Sequence, residues 1–174
     1  IVADDLGWGD VVFHGGNAPT PHLDRLAREG VELTHHSVAT TCTPTRVGLL
    51  PGRYWSRFGI YSPHNGRALP WETVTLPGAL RSVGYVTALT GKWHLGSKPE
   101  WGPQRFGFDL SYGSLAGGVG PRDHLYKRGE YMHTWHRNGG LFNEPGHVTT
   151  LVAEAAVQWI ATRGSQPFFL YVPL

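Results

Sequence analysis

The sequence predicts an α/β fold: a mostly parallel central sheet flanked by helices. Three observations point there. Short apolar runs alternate with helical periodicities in the order strand, helix, strand, helix, strand, the wiring of a parallel sheet. His147 to Arg163 carries a clear helical stripe, with Val148, Leu151, Val152, Ala155 and Trp159 on one face. Polar clusters fall just after strands, where such sheets collect their sites: Asp4-Asp5, Cys42 to Arg46, and Lys92 with His94.

The elements follow in order. Ile1-Val2-Ala3 reads as the end of a strand, and Gly7 to Asn17 as a glycine-rich loop. Thr20 is placed to cap a helix from His22 to Glu29, with Pro21 in its first turn and Gly30 as its stop. Leu23, Leu26 and Ala27 make its apolar stripe. Val31 to Val38 reads as a strand, with one of His35 and His36 facing inward as a core or rim histidine. Cys42-Thr43-Pro44-Thr45-Arg46 leads into a short helix over Val47–Leu50, ended by Pro51-Gly52. Residues 54–73 read as loop. Thr75 to Val83 is a short helix with Leu76, Leu80 and Val83 on one face, and Tyr85 to Leu89 is a strand. Residues 97–146 read as irregular, with a hairpin around Lys127-Arg128-Gly129-Glu130. After the long helix, Pro167 to Pro173 is a buried-strand pattern. A chain that opens without Met and closes on core strands is expected to be a segment of something longer.

Composition excludes several classes. The 174 residues include 24 Gly and 13 Pro, well above the roughly 12% average for the two together. They are interspersed with aromatics and apolar runs, as in a loop-rich globular domain rather than a disordered one. The single cysteine rules out an intrachain disulfide framework and a Cys-type zinc finger. No run approaches the roughly 18 apolar residues of a membrane span. The net charge is +2 and the Lys and Arg are dispersed, so there is no basic stripe to follow a nucleic acid backbone. Asn17, Asn65, Asn138 and Asn143 all lack a glycosylation sequon.

Each cluster carries a chemical reading and a plain one. Asp4 and Asp5 repel unless a cation neutralises them, and hard oxygen ligands suit Ca²⁺ or Mg²⁺ rather than Zn²⁺; the plain reading is a solvated turn. A lone Cys42 is ordinarily a small buried hydrophobe. Pro44 places it at or near a helix N-terminus, however, where free N–H groups favour an anion. Arg46 adds a planar fork for oxyanions. Lys92 and His94, two apart in extended backbone, share a side. Together they suit a tetrahedral anion, with His94 able to protonate a leaving group; the plain reading is a snorkelling lysine and a capping histidine. Trp93 between them points into the core. His124, His133, His136 and His147 show no tight ligand spacing.

Taken in order, several strings resemble the N-terminal half of a type I, formylglycine-dependent sulfatase of the alkaline phosphatase-like superfamily. They are Ala3 to Trp8, Thr20 to Asp24, Cys42 to Arg46 with Leu49 to Arg53, Gly84-Tyr85, Gly91 to Gly96 and Gly107-Phe108-Asp109. Pro167 to Pro173 matches the strand before the next active-site loop. The details are most similar to the arylsulfatase B-like group. The resemblance spans essentially the whole chain and implies that residues 1–174 are the N-terminal part of one catalytic domain.

It also implies a mechanism. In the family the motif cysteine, here Cys42, is oxidised by a formylglycine-generating enzyme. One hydroxyl of the hydrated aldehyde attacks sulfur; the other expels sulfate, a release that a plain Ser or Cys lacks. Asp4 and Asp5, with the converted Cys42, bind a divalent cation, usually Ca²⁺ with Mg²⁺ as the alternative. Arg46 polarises the aldehyde hydrate, Lys92 holds the sulfate oxygens and His94 binds the formylglycine or the sulfate end. The substrate implied is an aryl or sugar sulfate, and the location secreted, periplasmic or lysosomal.

The chain departs from the pattern at Thr45, where Ser or Ala is commoner, and at Pro51, where Thr is usual. Pro51 shortens the helix and bears on cysteine conversion. The family's later site residues lie outside the matched strings, so this segment holds about half a site and is expected to be inactive alone. Other readings are a phosphonate monoester or phosphodiester hydrolase of the same superfamily, an inactive truncated relative kept for binding, and a thiolate enzyme using Cys42 with His94.

Overall fold

The computed structural model describes residues 1–127 and 130–174. The hairpin expected around Lys127-Arg128-Gly129-Glu130 has its turn outside the described residues. The chain divides into two compact units, Ala3–Val38 and Ile1–Val2 with Ala39–Leu174.

In the smaller unit, two 3₁₀ turns, Trp8–Asp10 and Val12–His14, precede helix α1, Pro21–Glu29. Proline opens the helix as expected, but Thr20 does not cap it with its side chain. Its hydroxyl instead donates to Asp24 (2.8 Å) and accepts from the Val12 N–H (3.1 Å), tying the helix to the turn before it. The His14 ring stacks on Trp8 and meets the Glu32 carboxylate at 2.6 Å. Desolvation pulls the His14 pKa down, but the hydrogen bonds to Glu32 and the Trp8 carbonyl outweigh it and the net shift is upward.

The strand expected over residues 31–38 does not form: these residues pair with no ladder, and Val31, Leu33 and Val38 are all exposed. β-branched composition favours a pleated, half-buried surface, and no partner strand supplies one here. His35 and His36 are both exposed, so neither is the inward-facing histidine expected. Leu23 and Leu26 on α1 are exposed as well, and Val11 is the one buried hydrophobic of this unit among the described residues.

The larger unit is built on a five-stranded mixed sheet. Its strands are β1 (Val86–Lys92), β2 (Leu110–Ser114), β3 (Trp135–Arg137), β4 (Gly140–Leu141) and β5 (Phe168–Tyr171), in the order β4-β3-β2-β1-β5. The centre is parallel, β1 with both β2 and β5, and the β3-β4 edge is antiparallel. The first strand expected, ending at Ala3, shrinks to one bridge between Val2 and Pro173. β1 runs to Lys92 rather than Leu89, because β2 and β5 hydrogen-bond it from both sides. At Gly113, opposite Gly91, a Cβ would sit 2.3 Å from the Gly91 carbonyl oxygen, so the two backbones come together only with glycine there.

Residues 97–146 are less irregular than expected, since they hold β2, β3 and β4. β2 is almost wholly buried and shows no alternation, and β3 and β4 have three and two residues, too few for a periodic signal.

Each sheet face carries a core. Leu89, Trp93, Phe108, Leu115 and Tyr171 pack with Val47 of α2 (Cys42–Leu49) and with Leu50 just after it on one side. Tyr112, Trp135 and Val172 pack with Val152 and Ala156 of α4 (Val148–Ala161) on the other. Glu144 accepts from the Tyr112 hydroxyl at 2.6 Å and the Trp135 indole N–H at 2.7 Å, so both aromatics are polar-satisfied. Helix α3, Leu76–Ser82, is capped by Thr75, whose hydroxyl accepts from the Gly78 N–H and donates to the Phe106 carbonyl. Its expected face is wrong: Leu76 and Val83 are exposed and Pro77 is buried. This short helix docks by its first turn, where the Leu76 N–H meets the Leu50 carbonyl at 2.7 Å, rather than by a stripe.

Candidate active site

The sequence places the short helix at Val47–Leu50, but α2 begins five residues earlier, at Cys42. Pro44 is tolerated there because first-turn N–H groups have no helical partner to lose. Thr41 is extended, and its carbonyl accepts from both the Thr45 N–H (3.1 Å) and the Thr45 hydroxyl (2.8 Å). Thr45 also lies 3.0 Å from the Ala39 carbonyl. The departure at position 45 thus contributes a local anchor for the entry to the helix. Cys42 is a free, half-buried thiol in the first turn, as its spacing from Pro44 predicts.

Arg46 sits one turn on and is 2% exposed. Its guanidinium donates to the Lys92 carbonyl and to the Tyr171 hydroxyl (3.4 Å), joining α2 to the ends of β1 and β5. That bracing role is missed by a reading of Arg46 as an oxyanion fork alone. The signal for it is the buried setting of the helix, which no local pattern shows.

Lys92 closes β1, with its N–H bonded to the Pro173 carbonyl at 3.0 Å. Trp93 and His94 then continue along β2, their N–H groups meeting the Ser114 and Leu115 carbonyls at 2.8 and 3.1 Å. Trp93 is fully buried and its indole N–H donates to the Trp101 carbonyl, in agreement with its expected inward direction. His94 has φ 55°, so the simple extended alternation stops there. Its ring is 4% exposed and packs against Gly117, where a Cβ would lie 2.4 Å from the ring carbon Cε1 and from Nε2. Gly117 is a site residue that sequence reasoning missed; the Gly117-Gly118 pair is the one trace of it.

Cys42 and His94 line one cavity of about 450 Å³, a size typical of small-ligand sites. The glycine-rich loop over 117–120 forms part of the wall, with His64, Asn65, Tyr126 and Lys127. Arg46 and Lys92 are not among the residues that line it; the two are joined to each other through the Lys92 carbonyl.

Asp4 and Asp5 belong to the smaller unit. Asp4 is half-buried, while Asp5 is exposed with φ 56°. Two carboxylates are the hard-oxygen donors that Ca²⁺ or Mg²⁺ takes, and in chemistry they fit such an ion. Among the described residues no group of three or more His, Cys, Asp or Glu gathers as a metal cluster. Two carboxylates alone would fill only part of the six to eight oxygen positions that a Ca²⁺ ion takes.

Three further histidines, His136, His124 and His147, make structural contacts. His136 lies on β3, fully buried, with one ring nitrogen on the Gly113 carbonyl and the other on Ser111. His124 stacks on Trp135, and His147 caps α4 with its ring nitrogen.

Comparison with known proteins adds the wider frame. The sulfatase family model matches residues 1–174. The chain is 35% identical to arylsulfatase J of Mus musculus over 190 aligned positions, covering 99% of this chain and 31% of that protein. It is 33% identical to N-acetylgalactosamine-6-sulfatase of Rattus norvegicus, covering 98% of this chain and 37% of that protein. It thus spans about a third of the length of these relatives. Among solved structures, Ps i-CgsB superposes with a TM-score of 0.88 at 31% identity, covering 100% of this chain and 43% of that one. The same protein in complex with k-i-k-neocarrahexaose superposes with a TM-score of 0.84.

Proposed function

The chain belongs to the sulfatase family, and from that membership we propose that the protein hydrolyses sulfate esters of sugars, with Cys42 as the precursor of its nucleophile. The observation that carries the reading is Cys42 in the first turn of α2, opening into the same cavity as His94. A sugar sulfate is favoured over a simple aryl sulfate by the hydrogen-bonding side chains of His64, Asn65, Tyr126 and Lys127 in the wall of that cavity. The name of the rat relative and the hexaose bound to Ps i-CgsB point to the same class.

Each residue then has a physical task. Free N–H groups at the start of α2 favour the negative charge of a sulfate beside Cys42. His94, which packs against Gly117 and bonds the Leu115 carbonyl through its backbone, would hydrogen-bond the sulfate end or protonate the departing alcohol. Lys92 supplies a cation for oxygens that gain charge in the transition state. Arg46 adds positive charge from its buried position and holds the end of β1 in register with α2. Formylglycine, made from Cys42 by a formylglycine-generating enzyme, supplies a hydrated aldehyde with two hydroxyls, one to attack and one to release sulfate. Asp4 and Asp5 would hold a Ca²⁺ or Mg²⁺ ion, as the family resemblance implies.

The test is direct. The full-length protein is co-expressed with a formylglycine-generating enzyme, the peptide carrying Cys42 is weighed by mass spectrometry, and turnover of sugar sulfates and phosphodiesters is compared. Conversion at Cys42, preference for sulfates, and loss of turnover in Cys42→Ala are expected. An unmodified thiol in active protein, or a preference for phosphodiesters, overturns the reading.

A further inference from the structure

The wall of the cavity away from Cys42 has a consistent hydrogen-bonding sense. His64 accepts from the Gly66 N–H at Nδ1 (3.1 Å), so the neutral ring carries its proton on Nε2 and offers a donor. The Asn65 side-chain oxygen takes the Ser97 hydroxyl at 3.2 Å, which leaves its NH₂ as the unspent end. That NH₂ reaches the Tyr126 oxygen at 3.5 Å, so the phenol proton is available to a ligand. Lys127 has donors only. Among the described lining residues there is no carboxylate, while Lys127 carries positive charge and the neutral His64 ring offers its Nε2–H as a donor. The Lys127 ammonium pairs with Asp123 at 2.6 Å, but both side chains are well exposed. Such a pair is worth little in water, and a ligand anion competes with it or shares the ammonium.

A donor-rich, acid-free wall selects an acceptor-rich, anionic occupant. We propose that this cavity selects sulfated sugars bearing a second oxyanion, with Lys127 and His64 as the specificity-determining residues that hold it. The inference rests on the sulfatase reading, which accounts for the first sulfate beside Cys42. Asn65 and Tyr126 donate to the second group or to the hydroxyl next to it. A second sulfate and a carboxylate offer the same acceptors, and the probes separate them.

The experiment measures binding, not turnover. The full-length protein carrying Cys42→Ala is titrated calorimetrically with methyl galactoside 6-sulfate, with its 2,6-, 3,6- and 4,6-disulfates, and with the matching carboxymethyl ethers of the 6-sulfate. One charge-assisted contact corresponds to about tenfold in affinity, so at least one doubly anionic probe is expected to bind about tenfold tighter than the 6-sulfate. That ratio falls to near unity in Lys127→Ala or His64→Ala and persists in Arg25→Ala, which removes the same charge from the surface of α1. The ratio also shrinks with added salt. Equal affinity for all probes overturns the inference and leaves the sulfatase reading standing, as does a ratio that survives both cavity variants. If no probe binds, including the 6-sulfate, the reading beneath it is overturned too.

Discussion

Gly117 is the residue on which the geometry of His94 turns. A methyl group there would sit 2.4 Å from ring atoms of His94, far inside van der Waals contact. The ring is 4% exposed and already out of simple extension, so it has nowhere nearby to go without moving the wall of the cavity. Overpacking of this kind costs about 1–3 kcal/mol. Gly117→Ala is therefore expected to keep the fold but lose turnover by more than tenfold, because the imidazole no longer points where the substrate needs it. Near-native circular dichroism with reduced kcat is the expected pair of results. Unchanged kcat would show that the ring position is not critical.

At the scale of elements, the β2-β3 pairing holds a buried titratable group. Desolvation lowers the pKa of His136 to about 4, only partly offset by hydrogen bonds to the Gly113 and Thr134 carbonyls. The Gly113 carbonyl fixes the proton on Nδ1, so Nε2 accepts from the Ser111 hydroxyl, which in turn is bonded by Gln104. The native state therefore holds the ring neutral, while the unfolded chain protonates it near pH 6.5. The sign follows: the contribution is complete above about pH 6.5 and is lost as the pH falls toward 4. At 1.36 kcal/mol per pKa unit, the loss is about 3 kcal/mol over that window. Urea unfolding at several pH values checks it. In His136→Gln the protein is expected to be less stable at neutral pH but to lose this part of the pH slope; an unaltered slope would assign the acid sensitivity elsewhere.

For the molecule as a whole, the two compact units differ in how much they bury. The larger one has a core on each face of its sheet. The smaller one, Ala3–Val38, buries only Val11 among its described hydrophobics. Local opening costs least where few apolar contacts must break. Hydrogen exchange is expected to be fast over residues 31–38 and slowest in β1, which is bonded on both sides. Limited proteolysis is expected to cut first within residues 31–38. Equal protection across both units would contradict the division.

Much was legible in the sequence where the signal is local. Helices α1 and α4 follow from proline placement and a repeated apolar face, and Trp93 follows from alternation. Residue types and short spacings also pointed to Cys42 and His94, which line one cavity, and to Arg46 and Lys92, which are not among its lining residues. What escaped depends on partners distant in the chain. Val31–Val38 has strand composition but no neighbour to pair with. β2 lacks strand composition yet is bonded between β1 and β3. Arg46 becomes a brace only because β1 and β5 end beside α2. Gly117 matters only because His94 lands on it. Residue chemistry and backbone preference belong to the chain itself. Strand pairing, burial and the approach of one backbone to another exist only once segments far apart in sequence share a sheet.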